Sequence, residues 1–132
     1  FIDGLIFNTI IGNSDAHGKN YSFLYLAGAR RLAPFYDLVC TLVWPELSLV
    51  PAMKIGGSTS IKAISARNWQ KMASECEIGW PMLRDRIAFM KGKILEGLYS
   101  SAVQAITVTN QTASAAAEII VTAAGGGAAY GA

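Results

Sequence analysis

Two apolar segments enclose a short polar stretch near the start of the chain. Apolar residues at positions 2, 5, 6 and 10 recur at helical spacing, which predicts a mostly buried helix over residues 1–11. Gly12 is placed to end that helix. Beyond the polar stretch, residues 21–26 and 31–33 have the aromatic, strand-like alternation of a hairpin around Gly28. The pattern therefore predicts a helix, a polar loop and a hairpin, in that order.

The middle of the chain has a less regular pattern. Residues 38–44 are apolar with β-branched members, and they fit either a helical turn or a buried strand, with a helix favoured at their start. Pro45 and Pro51 bracket a loop, and residues 49–55 are predicted to include a short strand.

A second helix is predicted over residues 67–77, after a candidate capping region at 60–65. Asn68 is a candidate for its cap, and Gly79 is expected to close it.

A third helix is predicted to open at Trp80-Pro81, because proline is favoured in a first helical turn. Its apolar stripe consists of Leu83, Ile87, Met90, Ile94 and Leu98. Core packing explains this stripe better than a groove for a partner does. After residue 100 the composition changes to Ala, Thr and Gly, with Glu118 as the one charge. We therefore expect residues 101–132 to be a low-complexity tail outside the functional core.

Composition limits the classes of function. A chain of 132 residues with 52% hydrophobic content suits one domain with a modest core. Eleven basic and nine acidic residues give a net charge of +2, which is too small for nucleic-acid binding through a strong basic field. The basic residues between 84 and 93 suit a solvated helix face better than a DNA contact.

The cysteines and the hydropathy pattern indicate a cytoplasmic protein. Cys40 and Cys76 have no metal-binding or redox spacing, and two scattered cysteines suit a reducing compartment. Residues 1–12 lack the features of a signal peptide. Residues 97–117 are uncharged but interrupted by polar side chains, so no membrane span is expected.

The polar stretch and the turn after the hairpin carry the candidate chemistry. Asp15 is followed five positions later by Asn20, and Asp37 comes after the hairpin. Protein kinases place a catalytic Asp and a metal-binding Asn at this offset, followed by a second metal-binding Asp on a later turn. Carboxylate and amide oxygens suit Mg²⁺, which neutralises the phosphates. These residues predict a phosphotransferase site.

The neighbouring residues fit the same loop, although each has an ordinary alternative. Gly12 and Gly18 allow a tight backbone path, Lys19 is a candidate cation for the γ-phosphate, and His17 a candidate partner for Asp15 or phosphate. Taken alone, an Asn-Ser-Asp stretch is as often a simple turn or a helix cap. A His two residues from an Asp is more often a surface hydrogen-bonding pair than a ligand.

At this point the sequence resembles a known family. Residues 10–23 are similar to the signature loop of HipA-like serine/threonine kinases, bacterial kinases typified by the toxins of HipA/HipB-type toxin–antitoxin modules. Further stretches resemble, in order, the family's metal-binding turn, a following strand and turn, and the start of a downstream helix: residues 32–38, residues 52–57 and Asn68-Trp69. The resemblance covers about residues 1–100.

The resemblance implies a fold and a set of roles. The fold class is α+β, mainly helical: the C-terminal lobe of a protein-kinase-like fold, with a short hairpin carrying the metal-binding turn. Asp15 matches the catalytic base, and Asn20 and Asp37 match the Mg²⁺ ligands. His17 and Lys19 match motif positions that we assign to cofactor binding. ATP and Mg²⁺ are the implied cofactors, and a protein is the implied substrate.

The resemblance also sets expectations about the rest of such a kinase. The part with the ATP-covering loop and the phosphate-pairing Lys would lie upstream, and no glycine-rich phosphate loop replaces it here. We therefore expect residues 1–100 to be an incomplete kinase lobe that is inactive in isolation. A small helix-turn-helix antitoxin is the implied partner, with DNA contacted mainly through it.

Two other functions stay open on the sequence. Asp15-x-His17-x-x-Asn20 also resembles the loop of phosphoinositide-type lipid kinases, although the matches beyond the loop disfavour that function. Alternatively, the chain is a non-catalytic module that only binds an antitoxin. The class of acceptor separates the two kinases, and the effect of replacing Asp15 separates an enzyme from a binding module.

Overall fold

A computed structural model describes the backbone of residues 1–123 and the side chains of residues 1–104. Its regular elements are α1 (Ile2–Ile11), β1 (Phe23–Leu26), β2 (Ala29–Leu32), α2 (Ala66–Glu75) and α3 (Trp80–Ala123). Single turns of 3₁₀ helix occur at Gly18–Asn20, Thr41–Val43 and Ile61–Ala63. The described part of the chain is therefore mainly helical, with one antiparallel pair of strands.

Helix α1 ends at Gly12, as predicted. Gly12 adopts the left-handed conformation (φ 76°), and the amides of Gly12 and Asn13 bond back to the carbonyls of Thr9 and Asn8 at 3.3 and 2.8 Å. A Cβ added to Gly12 would lie 2.4 Å from the side chain of Leu42. Glycine is required here for conformation and for space, and it turns the chain directly into the polar loop.

The predicted hairpin is confirmed. Strand β1 pairs antiparallel with β2, and Phe23 lies opposite Leu32 at one end while Leu26 lies opposite Ala29 at the turn. The two-residue connection, Ala27 and Gly28, has φ values of 48° and 79°, the signature of the primed turns that match strand twist. Because the turn is only two residues long, the second strand begins at Ala29, two residues before the predicted start at residue 31.

Two predictions for the middle of the chain are wrong. Residues 38–40 are not helical, and only Thr41–Val43 form a helical turn. Residues 49–55 form no strand. Their backbone bonds go instead to two separate segments: the amide of Ala52 donates to Ser14 at 2.8 Å, and the carbonyl of Leu49 accepts from Ile61 at 2.8 Å. Isolated bonds of this kind anchor a loop and build no strand ladder.

The start of α2 has a reciprocal cap. Ser65, rather than Asn68, is the N-cap, and Asn68 Oδ1 accepts from the Ser65 amide at 2.9 Å and from its hydroxyl at 2.8 Å.

The turn at Gly56 and Gly57, which precedes α2 in the chain, packs against this helix. A Cβ on Gly56, whose φ is +51°, would lie 2.1 Å from the Asn68 carbonyl oxygen.

Helix α2 ends without Gly79. Its last residue is Glu75, and Glu77 takes the left-handed position with φ 55°. The amides of Glu77 and Ile78 bond back to Ser74 and Ala73 at 3.4 and 2.8 Å, which completes a Schellman motif. A non-glycine residue occupies a site that glycine would fill with less strain.

Replacing Glu77 with glycine is therefore expected to stabilise the protein by about 0.5–1 kcal/mol, because the left-handed backbone costs glycine little. The measurement is the midpoint of urea unfolding. Glu75→Gly is the matched control, since glycine inside the last helical turn should destabilise by a similar amount. A Glu77→Gly protein less stable than the parent would contradict the assignment.

The core lies within the compact unit Phe1–Lys91. It joins α1, the loop before α2, α2 and the start of α3, through Leu5, Ile6, Ile55, Trp69, Met72, Ala73 and Leu83. Ile6 and Leu83 are fully buried. The predicted apolar stripe of the third helix thus contributes Leu83 to the core, with Ile87 and Met90 packed against it.

An ion pair also links α1 and α3 within this unit. The Arg86 guanidinium donates from Nε and Nη2 to the two carboxylate oxygens of Asp3, each at 2.6 Å. This hydrogen bonding lowers the pKa of Asp3 and raises the pKa of Arg86. Arg86 is thereby a structural contact rather than part of a basic surface.

The second unit is Gly92–Ala132. Within it, Lys93 Nζ and Glu96 Oε2 lie 2.9 Å apart. The predicted tail, residues 101–132, is helical in backbone as far as Ala123, and its residues 124–132 lie outside the described part. Among the helices that the structure describes, none combines the length and the apolar character needed to cross a bilayer.

Candidate active site

The structure brings two of the five candidate residues into direct contact. Asn20 Nδ2 donates to Asp37 Oδ2 at 2.7 Å, although the residues are 17 positions apart. Asn20 is buried at 6% exposure, at the end of the Gly18–Asn20 turn, whereas Asp37 is exposed. An amide and a carboxylate thus form one polar pair with an open side.

The backbone of Asp37 is unusual. Its φ is 60°, a left-handed conformation that Asp tolerates better than most residues. Backbone strain of this kind clusters at functional sites, where the surrounding structure holds it in place. The preceding residue contributes to that hold, because the Tyr36 hydroxyl donates to the Lys19 carbonyl at 2.5 Å.

Asn13 connects the two halves of the site, a role that the sequence analysis missed. Its side chain is buried at 2% exposure. The amide nitrogen donates to Asn8 Oδ1 at 2.8 Å and to the Asp37 carbonyl at 3.0 Å, while Oδ1 accepts from the Asp15 amide at 3.2 Å. One side chain therefore holds the backbone of both Asp15 and Asp37.

Asn8 supports Asn13 from helix α1. Asn8 is 4% exposed, and its own amide donates to the Gly4 carbonyl at 3.0 Å. A buried Asn on a mostly apolar helix needs polar partners. The presence of Asn8 among apolar residues in the sequence could therefore have indicated a buried hydrogen-bond partner such as Asn13. Gly4 serves the same region: a Cβ there would lie 2.7 Å from the ring of Phe35, two residues before Asp37.

A hydroxyl network fixes the other side of the loop. Ser14 Oγ donates to the Ser48 carbonyl at 2.7 Å and lies 2.8 Å from Thr41 Oγ1. Thr41 Oγ1 donates in turn to the Gly12 carbonyl at 2.9 Å. Ser14, directly before Asp15, is thus bonded to the buried Thr41 and to the backbone at Ser48, while Asp15 itself is exposed.

In the part of the chain that the structure describes, neither His17 nor Lys19 makes a side-chain hydrogen bond or ion pair with Asn20 or Asp37. Lys19 is exposed. His17 is half-buried, and its Nδ1 has no hydrogen-bond partner among the described residues. Both residues nevertheless lie on the short segment between Asp15 and Asn20.

The donor set at the Asn20–Asp37 pair fits a hard divalent cation. No group of three or more His, Cys, Asp or Glu side chains suited to a metal occurs in the described residues. Asn20 Oδ1 and the Asp37 carboxylate offer two oxygen donors, and Mg²⁺ in phosphotransferases often takes only one or two protein groups plus waters and phosphates. The pair therefore fits Mg²⁺ better than zinc, which takes four ligands of which most are nitrogen or sulfur.

Comparison with known proteins places this site in a family context. The family model described as "HipA-like C-terminal domain" matches residues 1–117. "Putative kinase Y4mE" of Sinorhizobium fredii is 44% identical over 86 residues, covering 65% of this chain and 20% of that protein. "Putative kinase Y4dM" of the same organism is 33% identical over 88 residues, covering 64% and 21%.

Two matches involve HipA of Shewanella oneidensis. The serine/threonine-protein kinase toxin HipA is 42% identical over 50 residues, covering 38% of this chain and 12% of that protein. A solved complex of HipA, HipB and operator DNA matches with a TM-score of 0.72 at 24% identity, covering 77% of this chain and 24% of that chain. The chain spans about a fifth of the length of Y4mE and Y4dM. The chain belongs to the HipA-like C-terminal domain family.

Proposed function

We propose that this chain supplies the catalytic and metal-binding residues of an ATP-dependent kinase that phosphorylates serine or threonine in a protein. The observation that carries the proposal is the Asn20–Asp37 contact of 2.7 Å, because Asn20 lies on the loop that bears Asp15 five residues earlier. A base and two oxygen ligands in this order are what phosphoryl transfer requires from a protein. The kinase relatives support the same chemistry.

Asn20 and Asp37 are the proposed Mg²⁺ ligands. The ion, when bound with ATP, neutralises charge on the phosphates. Asn20 contributes its amide oxygen from a buried position, and Asp37 contributes charge from a turn held by Tyr36 and Asn13. Because both ligands are anchored, little ordering cost remains when the nucleotide binds.

Asp15 is the proposed general base. It would accept the proton of the substrate hydroxyl as the hydroxyl oxygen bonds to the γ-phosphorus of ATP and the bond from that phosphorus to the departing ADP breaks. Its exposure leaves room for a macromolecular acceptor, and the bond from its amide to Asn13 sets its position relative to Asp37. His17 and Lys19 are proposed to contact the nucleotide phosphates from the same segment.

The test uses the whole protein encoded by the reading frame that contains this chain. It is incubated with radiolabelled ATP, Mg²⁺ and a dephosphorylated lysate of its host. We expect label on protein, recovered as phosphoserine or phosphothreonine after acid hydrolysis. Label in the lipid extract instead would favour the phosphoinositide-type alternative, and label in neither fraction would contradict kinase function.

A helix-turn-helix antitoxin is the proposed partner. The solved Shewanella HipA is in a complex with HipB and operator DNA, and the fold match to that chain supports a similar assembly here. DNA contact mainly through the antitoxin agrees with a net charge of only +2. If antitoxin binding is the sole function, an Asp15→Asn protein will keep every measurable property of the parent.

A further inference from the structure

A cavity of about 630 Å³ opens beside Asp15. Its apolar wall includes Val39, Trp44, Leu47 and Val50, and its polar lining includes Ser14 and Thr41. Trp44, Leu47 and Val50 are each 45–47% exposed. Half-exposed apolar side chains around a concave surface are typical of a binding site.

The cavity lies on the Asp15 side of the candidate active site, away from the Asn20–Asp37 pair. Asp15 lines it, but the proposed metal ligands Asn20 and Asp37 do not, and neither do His17 or Lys19. A cavity that contains the base without the metal pair is placed for the group that loses a proton, not for the nucleotide phosphates.

The walls are tied to the loop that carries Asp15. Ser14 accepts from the Ala52 amide through its carbonyl at 2.8 Å, and its hydroxyl donates to the Ser48 carbonyl at 2.7 Å. The segment between Trp44 and Ala52 is therefore anchored at two points to the residue next to Asp15. Anything bound against this segment has a defined position relative to the base.

The lining of the cavity is acidic, which indicates the charge of the molecule that it would bind. Its ionisable lining residues are Asp15 and Glu46, both acidic, and no Lys, Arg or His is among the residues that line it. An ATP molecule, with its negative phosphates, is disfavoured in such a site, whereas a basic peptide is favoured.

Building on the kinase function proposed above, we propose that this cavity binds the acceptor segment of the protein substrate. The segment is a serine or threonine flanked by an apolar side chain, held by Trp44 and Leu47, and by a lysine or arginine, held by Glu46. Glu46 and Trp44 are then specificity-determining residues, and their replacement alters which acceptor is used rather than how ATP is bound.

The experiment is a positional-scanning library of serine peptides, phosphorylated by the whole encoded protein with ATP and Mg²⁺. The parent protein is expected to favour Lys or Arg near the serine. Glu46→Lys should reverse that preference in favour of Asp or Glu, by about tenfold or more in kcat/KM. Glu75→Lys, the same change on the exposed face of α2, is the control and should leave the preference unchanged.

The remaining outcomes separate this proposal from the kinase function. Phosphorylation without a basic preference, or with one that Glu46→Lys leaves intact, overturns the peptide site while kinase function stands. A Trp44→Ala protein with a raised KM for ATP and an unaltered KM for peptide would assign the cavity to the nucleotide and also overturn it. Absence of transfer to every peptide and every protein overturns both proposals.

Discussion

Replacement of Asp37 by Asn is expected to weaken Mn²⁺–ATP binding by on the order of 100-fold or more, since it removes the one charged ligand of the proposed metal pair. Asn is preferred to Ala because Asn tolerates the left-handed backbone at this position, φ 60°. Mn²⁺ replaces Mg²⁺ at oxygen ligands and is detected by paramagnetic resonance. The whole encoded protein is titrated with Mn²⁺ in the presence of ATP.

The matched control for this change is Asp85→Asn. Asp85 is exposed on α3 and pairs with Arg84 at 2.8 Å, so the substitution is chemically the same but lies outside the proposed site. Binding should be unaltered there. Equal affinity in the parent and the Asp37→Asn protein, with thermal unfolding unchanged, would exclude Asp37 as a metal ligand.

The second large effect is expected from Asp15→Asn. Loss of the general base should lower kcat for protein phosphorylation by about 10²–10⁴-fold. Affinity for Mn²⁺–ATP should stay within about twofold of the parent, because Asp15 is a proposed ligand of neither metal nor phosphate. The two variants thus separate two functions of the site: Asp37→Asn should lose Mn²⁺–ATP binding, and Asp15→Asn should lose phosphoryl transfer.

Fold and binding must be measured on the same preparation of the Asp15→Asn protein. The Asp15 side chain is exposed and its amide, not its carboxylate, bonds to Asn13, so stability is expected to match the parent. Turnover equal to that of the parent would exclude Asp15 as the base. A loss of Mn²⁺–ATP binding together with turnover would instead place Asp15 among the ligands.

Both variants depend on the same buried scaffold. Asn13 bonds to the backbone at Asp15 and at Asp37, and Asn8 holds Asn13 from helix α1. The candidate base and the candidate metal ligand are therefore positioned by one short chain of amides. Buried polar networks of this kind specify geometry strongly when every member is satisfied.

Much of the local structure could be predicted from the sequence. Helix α1 and its end at Gly12 follow from apolar periodicity and a glycine, and the hairpin follows from alternation around Gly28. The kinase-like spacing of Asp15 and Asn20 was also visible, because two motif residues on one short loop stay close together in any fold, and Asp37 was recognisable as a later acidic turn. The family assignment confirms the resemblance inferred from these residues.

Other features depend on contacts between segments distant in sequence, and only the tertiary structure decided them. The predicted strand at 49–55 failed because its backbone bonds go to residues 14 and 61 rather than to a neighbouring strand. Helix α2 ends at Glu75 because the backbone closes through Glu77, a residue whose type does not favour that conformation. The meeting of Asn20 with Asp37 and the cavity beside Asp15 likewise need several segments at once. Sequence periodicity reports each segment's own preferences, whereas a site depends on which segments share a buried polar partner, and here Asn13 and Ser14 are those partners.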